Sequence, residues 1–290
     1  MTLPLVIEQL LNGIQFGVML FLMSAGLTLV FGIMNLINLA HGSIYMIGAF
    51  LAATFARLTG EFFSALLLAV PLTALVGLAL ERGVLRRFYH RTHLDQVLVT
   101  LGLIFVFNDT MRLVWGPAPI PLAMPPLLAD TVELIPGVPY PAFRLAILVA
   151  GLVVAACLYL LITHTRVGMW VRAGASDRST AAAMGVNVPR VFSGVFAVGA
   201  ALAGFAGMMA GPLTAVQVGM GEPILILALV VTVLGGIGSI RGAFIVALVM
   251  GVVDTFGRVL LPPALGSICI FMLMAAILAW RPKGLFPAHG

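Results

Sequence analysis

Charge is what this chain has least of. Only 9% of its 290 residues are Asp, Glu, Lys or Arg, against 62% hydrophobic residues and a mean hydropathy of +1.17. Soluble domains carry about 25% charged residues. The deficit excludes an ordinary soluble domain and points to an all-α polytopic membrane protein, a single domain over residues 1–290. Cysteine is scarce as well. Cys157 and Cys269 lie in apolar runs with no CxxC partner, which argues against a disulfide framework or a thiolate metal centre. No span holds a pair of acids: Asp95, Asp109 and Asp254 fall near span ends, which disfavours a proton- or sodium-coupled carrier. GxxxxGK[ST], HExxH and a nucleophile elbow are all missing, so the expectation is a chain that hydrolyses nothing by itself, with no metal and no cofactor. The start, MTLPLVIEQLLNG, has neither a basic region nor a small-residue cleavage site, and the first span is expected to be retained.

What is present is apolar sequence interrupted in informative places. From Gln9 to Ala56 there is no charged residue, a run of 48 positions that suffices for two crossings at about 20 residues each. Charge-free intervals predict helices near 6–29, 40–56, 62–81, 95–115, 142–163, 191–211, 223–237, 242–260 and 264–280. The run at 223–237 is short, so the expectation is eight to nine spans with at least one discontinuous. Basic residues give the orientation. Arg82, Arg86, Arg87, Arg91, Arg166, Arg172, Arg178, Arg190, Arg241, Arg281 and Lys283 fall on one side; Arg57, Arg112, Arg144 and Arg258 fall on the other with Glu61, Asp130, Glu133 and Glu222. The richer side is cytoplasmic, which places the C-terminus inside and, by parity, the N-terminus outside. Scattered like this, the cations are topology signals rather than a nucleic-acid surface.

Five segments stand out. The cytoplasmic loop of about 164–190 contains ASDRSTAAAMGVNVPR. Ser176 or Asp177 can cap a helix from Arg178 to Met184, Gly185 suits its C-terminal stop and Pro189 follows. So short a helix is marginal in water, so it either docks on another subunit or lies on lipid headgroups. The external loop of about 116–141 is proline-rich, a connector or a cap. In the first long run, Asn35, Asn38 and His41 put amides and an imidazole where lipid tolerates none, which suits a helix break beside a wet pathway. Asn35 and Asn38 share a face if the backbone there is helical; His41 is also explained as a structural, hydrogen-bonded residue. Gly235, Gly236, Gly238 and Gly242 crowd eight positions and serve either close helix packing or an unwound hinge. Gly194 to Gly211 spaces small residues for close helix contact.

SAGLTLVFGIMNLINLAHGSIYMIGAFLA (Ser24–Ala52), RAGASDRSTAAAMGVNVPRV (Arg172–Val191) and LGGIGSIRGAFIVALVMGVVD (Leu234–Asp254) together resemble the LivH-type permease subunits of branched-chain amino-acid ABC importers, over nearly the full length. The resemblance implies an inner-membrane permease working with a second related permease, two ABC ATPase subunits and an external substrate-binding protein. It also implies that the helix after Asp177 is a coupling helix, with Asp177, Arg178, Ala181, Ala182, Gly185 and Pro189 at the ATPase contact. Where such permeases often carry EAA-x3-G, this chain has Thr180 before Ala181 and Ala182, with Gly185 one position early. Asn35, Asn38, His41, Gly235, Gly236 and Gly238 are the candidates for the translocation pathway. The alternatives are a passive channel or facilitator for a solute such as urea or an amide, since NLAHG resembles half of the aquaporin asparagine motif, and, less favoured, a membrane-embedded enzyme.

Overall fold

A computed structural model describes residues 3–135, 138–262, 266, 268–282 and 284–286. Lys283 and the first residues of the 264–280 span lie outside the described residues. The helices are α1 (Leu3–Met34), α2 (His41–Thr59), α3 (Phe62–Gly83), α4 (His93–Trp115), α5 (Ala142–His164), α6 (Arg166–Ser176), α7 (Arg178–Ala183), α8 (Val188–Thr214), α9 (Gly221–Gly235), α10 (Ile240–Leu260) and α11 (Ile268–Trp280). Seven of these are long and apolar enough to span a bilayer, and α9 and α11 are shorter apolar helices. Together they occupy the nine predicted intervals.

The long helix α1 is the axis of the subunit. From Gly13 to Met34 it is largely buried and apolar on nearly every face, with Gln15, Ser24 and Thr28 its only polar side chains, and α5, α8, α9 and α10 pack around it. Glycine makes that packing close. A Cβ on Gly17 would stand 2.7 Å from the Ala247 carbonyl oxygen, and one on Gly48 would stand 2.4 Å from the Gly204 Cα. In lipid, contact of this kind replaces the hydrophobic drive that would hold helices together in water. Helices α3, α4 and α5 ring this centre and expose most of their surface.

Two elements were not expected. The 116–141 loop contains an antiparallel hairpin, β1 (Thr131–Ile135) with β2 (Val138–Pro141), and Ile120 bridges to Val216. The 164–190 loop contains α6 as well as α7. Thr165 caps α6 by accepting from the Gly168 amide at 3.2 Å. Charge-free intervals cannot reveal an amphipathic helix that carries its own arginines.

Candidate functional site

Helix α7 is built by capping. The Asp177 carboxylate accepts from the Ser179 and Thr180 amides at 2.8 and 3.1 Å and from their hydroxyls at 2.7 and 2.6 Å. The hydroxyl of Thr180 and then that of Ser179 are the main donors that hold the Asp177 pKa well below its usual 3.8. At the other end the Val186 amide reaches the Ala181 carbonyl at 3.1 Å, and Gly185 takes φ +87°, a left-handed stop that glycine adopts without a steric penalty. Pro189 does not terminate this helix. It lies in the first turn of α8, behind the Asn187 cap, where a missing N–H costs nothing.

The two faces of α7 differ. Ser179, Thr180, Ala182, Ala183 and Met184 are exposed, and Trp170, Met184, Gly185, Asn187 and Arg190 line an adjoining groove of about 350 Å³. Ala181 is buried, and Arg178 turns toward the membrane domain. Its guanidinium donates to the Met34 carbonyl at 2.6 Å, at the end of α1, and lies 5.0 Å over the Phe192 ring of α8. Helix α7 is thus tied to the central helix and to α8 through one side chain.

A buried charge network stands beside that tie. Glu81, fully buried at the end of α3, accepts from Arg86 Nε at 3.1 Å, the Tyr89 hydroxyl at 2.6 Å and the Ser193 hydroxyl at 2.8 Å. Tyr89 also meets Phe192 edge-on, so the network and Arg178 share one ring. Burial first, then the bond to Glu81, pushes the Tyr89 hydroxyl above its ordinary 10.0. Sequence reading passed over Glu81. Its only signal was an acid at the end of a span followed by ERGVLRR, a run rich in cations.

Both broken segments are real breaks. After Met34 the chain is non-helical to Ala40, and Asn35 adopts φ +51°, so Asn35 and Asn38 do not share a helical face. Asn35 is exposed, whereas Asn38 and His41 are buried. Neither the Asn38 amide nor the His41 ring makes a hydrogen bond of good geometry among the described residues. The ring lies beside the α1 backbone at Met23 and Gly26. The chain therefore turns back from the cytoplasmic end of α1 and starts α2 well inside the span. Helix α9 also starts inside the span. Gly221 meets the backbone of Gly42, whose carbonyl oxygen a Cβ would approach to 1.9 Å.

The second break separates α9 from α10. Gly236 and Gly238 have φ +93° and +84°, and a Cβ on Gly32 would stand 2.3 Å from the Gly238 Cα. Gly235 and Gly236 are buried and Gly238 is partly so. A cavity of about 590 Å³ opens beside this turn, lined by Thr28, Gly32, Thr163, Arg172, Ser239 and Arg241 among others. The two breaks are thus packed on each other through α1, not separated in space.

Comparison with known proteins agrees with this architecture. Residues 9–278 match the family described as branched-chain amino acid transport system / permease component. The permease protein BraD of Pseudomonas aeruginosa is 30% identical, with 96% of this chain and 95% of that protein aligned. LivH of Escherichia coli K12 is 27% identical over 96% of this chain and 94% of its own length. LivM of Salmonella typhimurium is 30% identical over 92% of this chain but only 67% of its own length. No solved structure matches. With a match over nearly its whole length and a multi-pass helical body, the chain belongs to the permease components of branched-chain amino acid transport systems: a membrane transport subunit, not an enzyme.

Proposed function

We propose that this chain forms one side of the solute route in an ATP-driven importer of the cell inner membrane, for branched-chain or chemically related amino acids. Its partners in this reading are a second related permease, two ABC ATPase subunits and a periplasmic or extracellular substrate-binding protein. The observation that carries the proposal is the two-faced helix α7. Its outer face of small residues and Met184 is free for a partner, and its inner residue Arg178 holds the Met34 carbonyl and the Phe192 ring.

The mechanism follows from those contacts. An ATPase that grips Thr180, Ala182 and Gly185 and moves on nucleotide binding would pull Arg178, and with it the cytoplasmic ends of α1 and α8. The breaks at 35–40 and 236–239 then act as hinges. Asn35, Asn38 and His41 border the first, and Gly235, Gly236 and Gly238 form the second, as helix-terminal residues that absorb backbone rotation do in hinge motions. ATP-dependent leucine uptake by the assembled complex tests the docking role. Gly185→Trp and Asp177→Arg are expected to lower uptake at least tenfold and to weaken recovery of the ATPase with the permease. Normal uptake with normal recovery in both variants would refute it.

A further inference from the structure

Glu222 presents a problem that the fold alone does not solve. Sequence placed it on the external side of the membrane, but the structure puts it in the first turn of α9, and α9 starts next to Gly42. From Gly42 helix α2 climbs to Thr59, and at 1.5 Å per residue that rise is about 25 Å. Glu222 therefore sits deep below the outer rim of the subunit. Its neighbour agrees: Asn108 donates to Glu222 Oε1 at 2.6 Å, and Asn108 lies seven residues inside the outer end of α4. That end is itself recessed, since Trp115 Nε1 donates to Thr54 Oγ1, within α2.

Yet Glu222 is exposed on the subunit's surface, and among the described residues its carboxylate makes no ion pair and no other side-chain hydrogen bond. A carboxylate at this depth cannot face lipid at tolerable cost. Such residues face a bundle interior or a water-filled cavity and mark solute pathways. Helix α4 fits the second environment. It is buried only along Gln96, Thr100, Ile104 and Met111. Along the stripe of α4 that carries Asn108, at spacings of three and four residues, the inner positions Leu94, Leu98, Leu101 and Phe105 are exposed and apolar and Arg112 lies one turn outward, paired with Asp109, while Leu113 and Val114 are exposed on the neighbouring face. Polar groups on that one stripe, outward of Phe105, describe one wall of an outward-opening vestibule, with an apolar stretch beneath it.

We infer that Glu222, oriented by Asn108, is a solute contact in this vestibule and receives the ammonium group of a zwitterionic amino acid. The acid is well placed for it, because the Asn108 amide occupies one oxygen and leaves the other for a cationic donor. The opposite wall would come from the second permease. This inference rests on the importer reading above, and relocates the solute contact from the buried Asn38–His41 segment to the exposed α4–α9 face.

The test uses the assembled complex with its binding protein in proteoliposomes and radiolabelled leucine. Glu222→Gln is expected to raise the KM for uptake at least tenfold, Glu222→Asp to recover part of that, and Asn108→Ala to fall between. In a Cys157→Ser/Cys269→Ser background, Glu222→Cys and Asn108→Cys are expected to react with a membrane-impermeant thiol reagent added outside, and Leu98→Cys to resist it. ATP-dependent uptake by the unaltered complex establishes the importer reading separately. With that established, an unchanged KM in Glu222→Gln, or no labelling at 108 and 222 because the second permease seals the face, overturns the assignment of Glu222 alone.

Discussion

Removing the Glu81 carboxylate is the sharpest perturbation the cytoplasmic corner offers. In Glu81→Ala, three donors lose their acceptor at once: Arg86, Tyr89 and Ser193. A hydrogen bond to a charged group contributes about 1.5–3 kcal/mol, but the three losses do not simply add. The Arg86 side chain is 41% exposed and rehydrates, so its share is screened toward the surface range of about 0–1 kcal/mol. Ser193 keeps its second acceptor, the Pro189 carbonyl, at 3.1 Å. Tyr89 has no such fallback. The net cost is then about 3 kcal/mol, at the lower edge of that for breaking a buried pair. At about 2 °C per kcal/mol for a chain of this size, the thermal transition of the detergent-solubilised complex should fall by about 6 °C. The double variant Glu81→Met/Arg86→Met, which removes both charges and refills the space, should regain most of the loss. The Tyr89 pKa, raised above 10.0 by burial and by Glu81, keeps its hydroxyl protonated, so this contribution holds below pH 10 and declines only as the pH rises beyond it. A Glu81→Ala shift under 1 °C, or a double variant less stable than the single one, would refute this account.

Asp177 gives a pH prediction of the opposite sign. Its pKa is lowered on folding, so the cap is fully present above the unfolded value of 3.8 and is lost only in stronger acid; amide exchange at Ser179 and Thr180, corrected for intrinsic rates, should be flat from pH 5 to 8 and rise sharply in Asp177→Ala. Gly221→Val drives side-chain atoms into the Gly42 carbonyl and should cut the yield of folded protein severalfold, whereas Gly185→Ala, with nothing within 4 Å of its Cβ, should fold and merely loosen the α7 stop by about 1 kcal/mol for its left-handed backbone. His41→Leu removes a ring whose nitrogens have no good partner among the described residues, and apolar replacement of such a group is close to neutral; an unchanged melting temperature is the expected result, and a large loss of stability would assign His41 a structural role instead.

What sequence by itself determined is whatever depends on local chemistry. The absence of charge over long intervals placed the nine apolar helices of the described residues, because each span must be apolar wherever it packs. The order of Asp177, the small residues after Arg178 and Gly185 determined α7 from cap to stop, because capping is settled within a few residues. Tertiary structure decided which side chains meet. Glu81, Tyr89 and Ser193 are joined across α3 and α8; Asn108 and Glu222 are 114 positions apart. Glu222 in particular looked like a loop residue, and only the re-entry of the chain before α9 carries it to mid-depth. Turning Arg178 inward and burying Asn38 and His41 depend likewise on α1 as the common neighbour. Depth and facing are set by how helices tilt and start against one another, and hydropathy along a single strand of sequence does not contain that information.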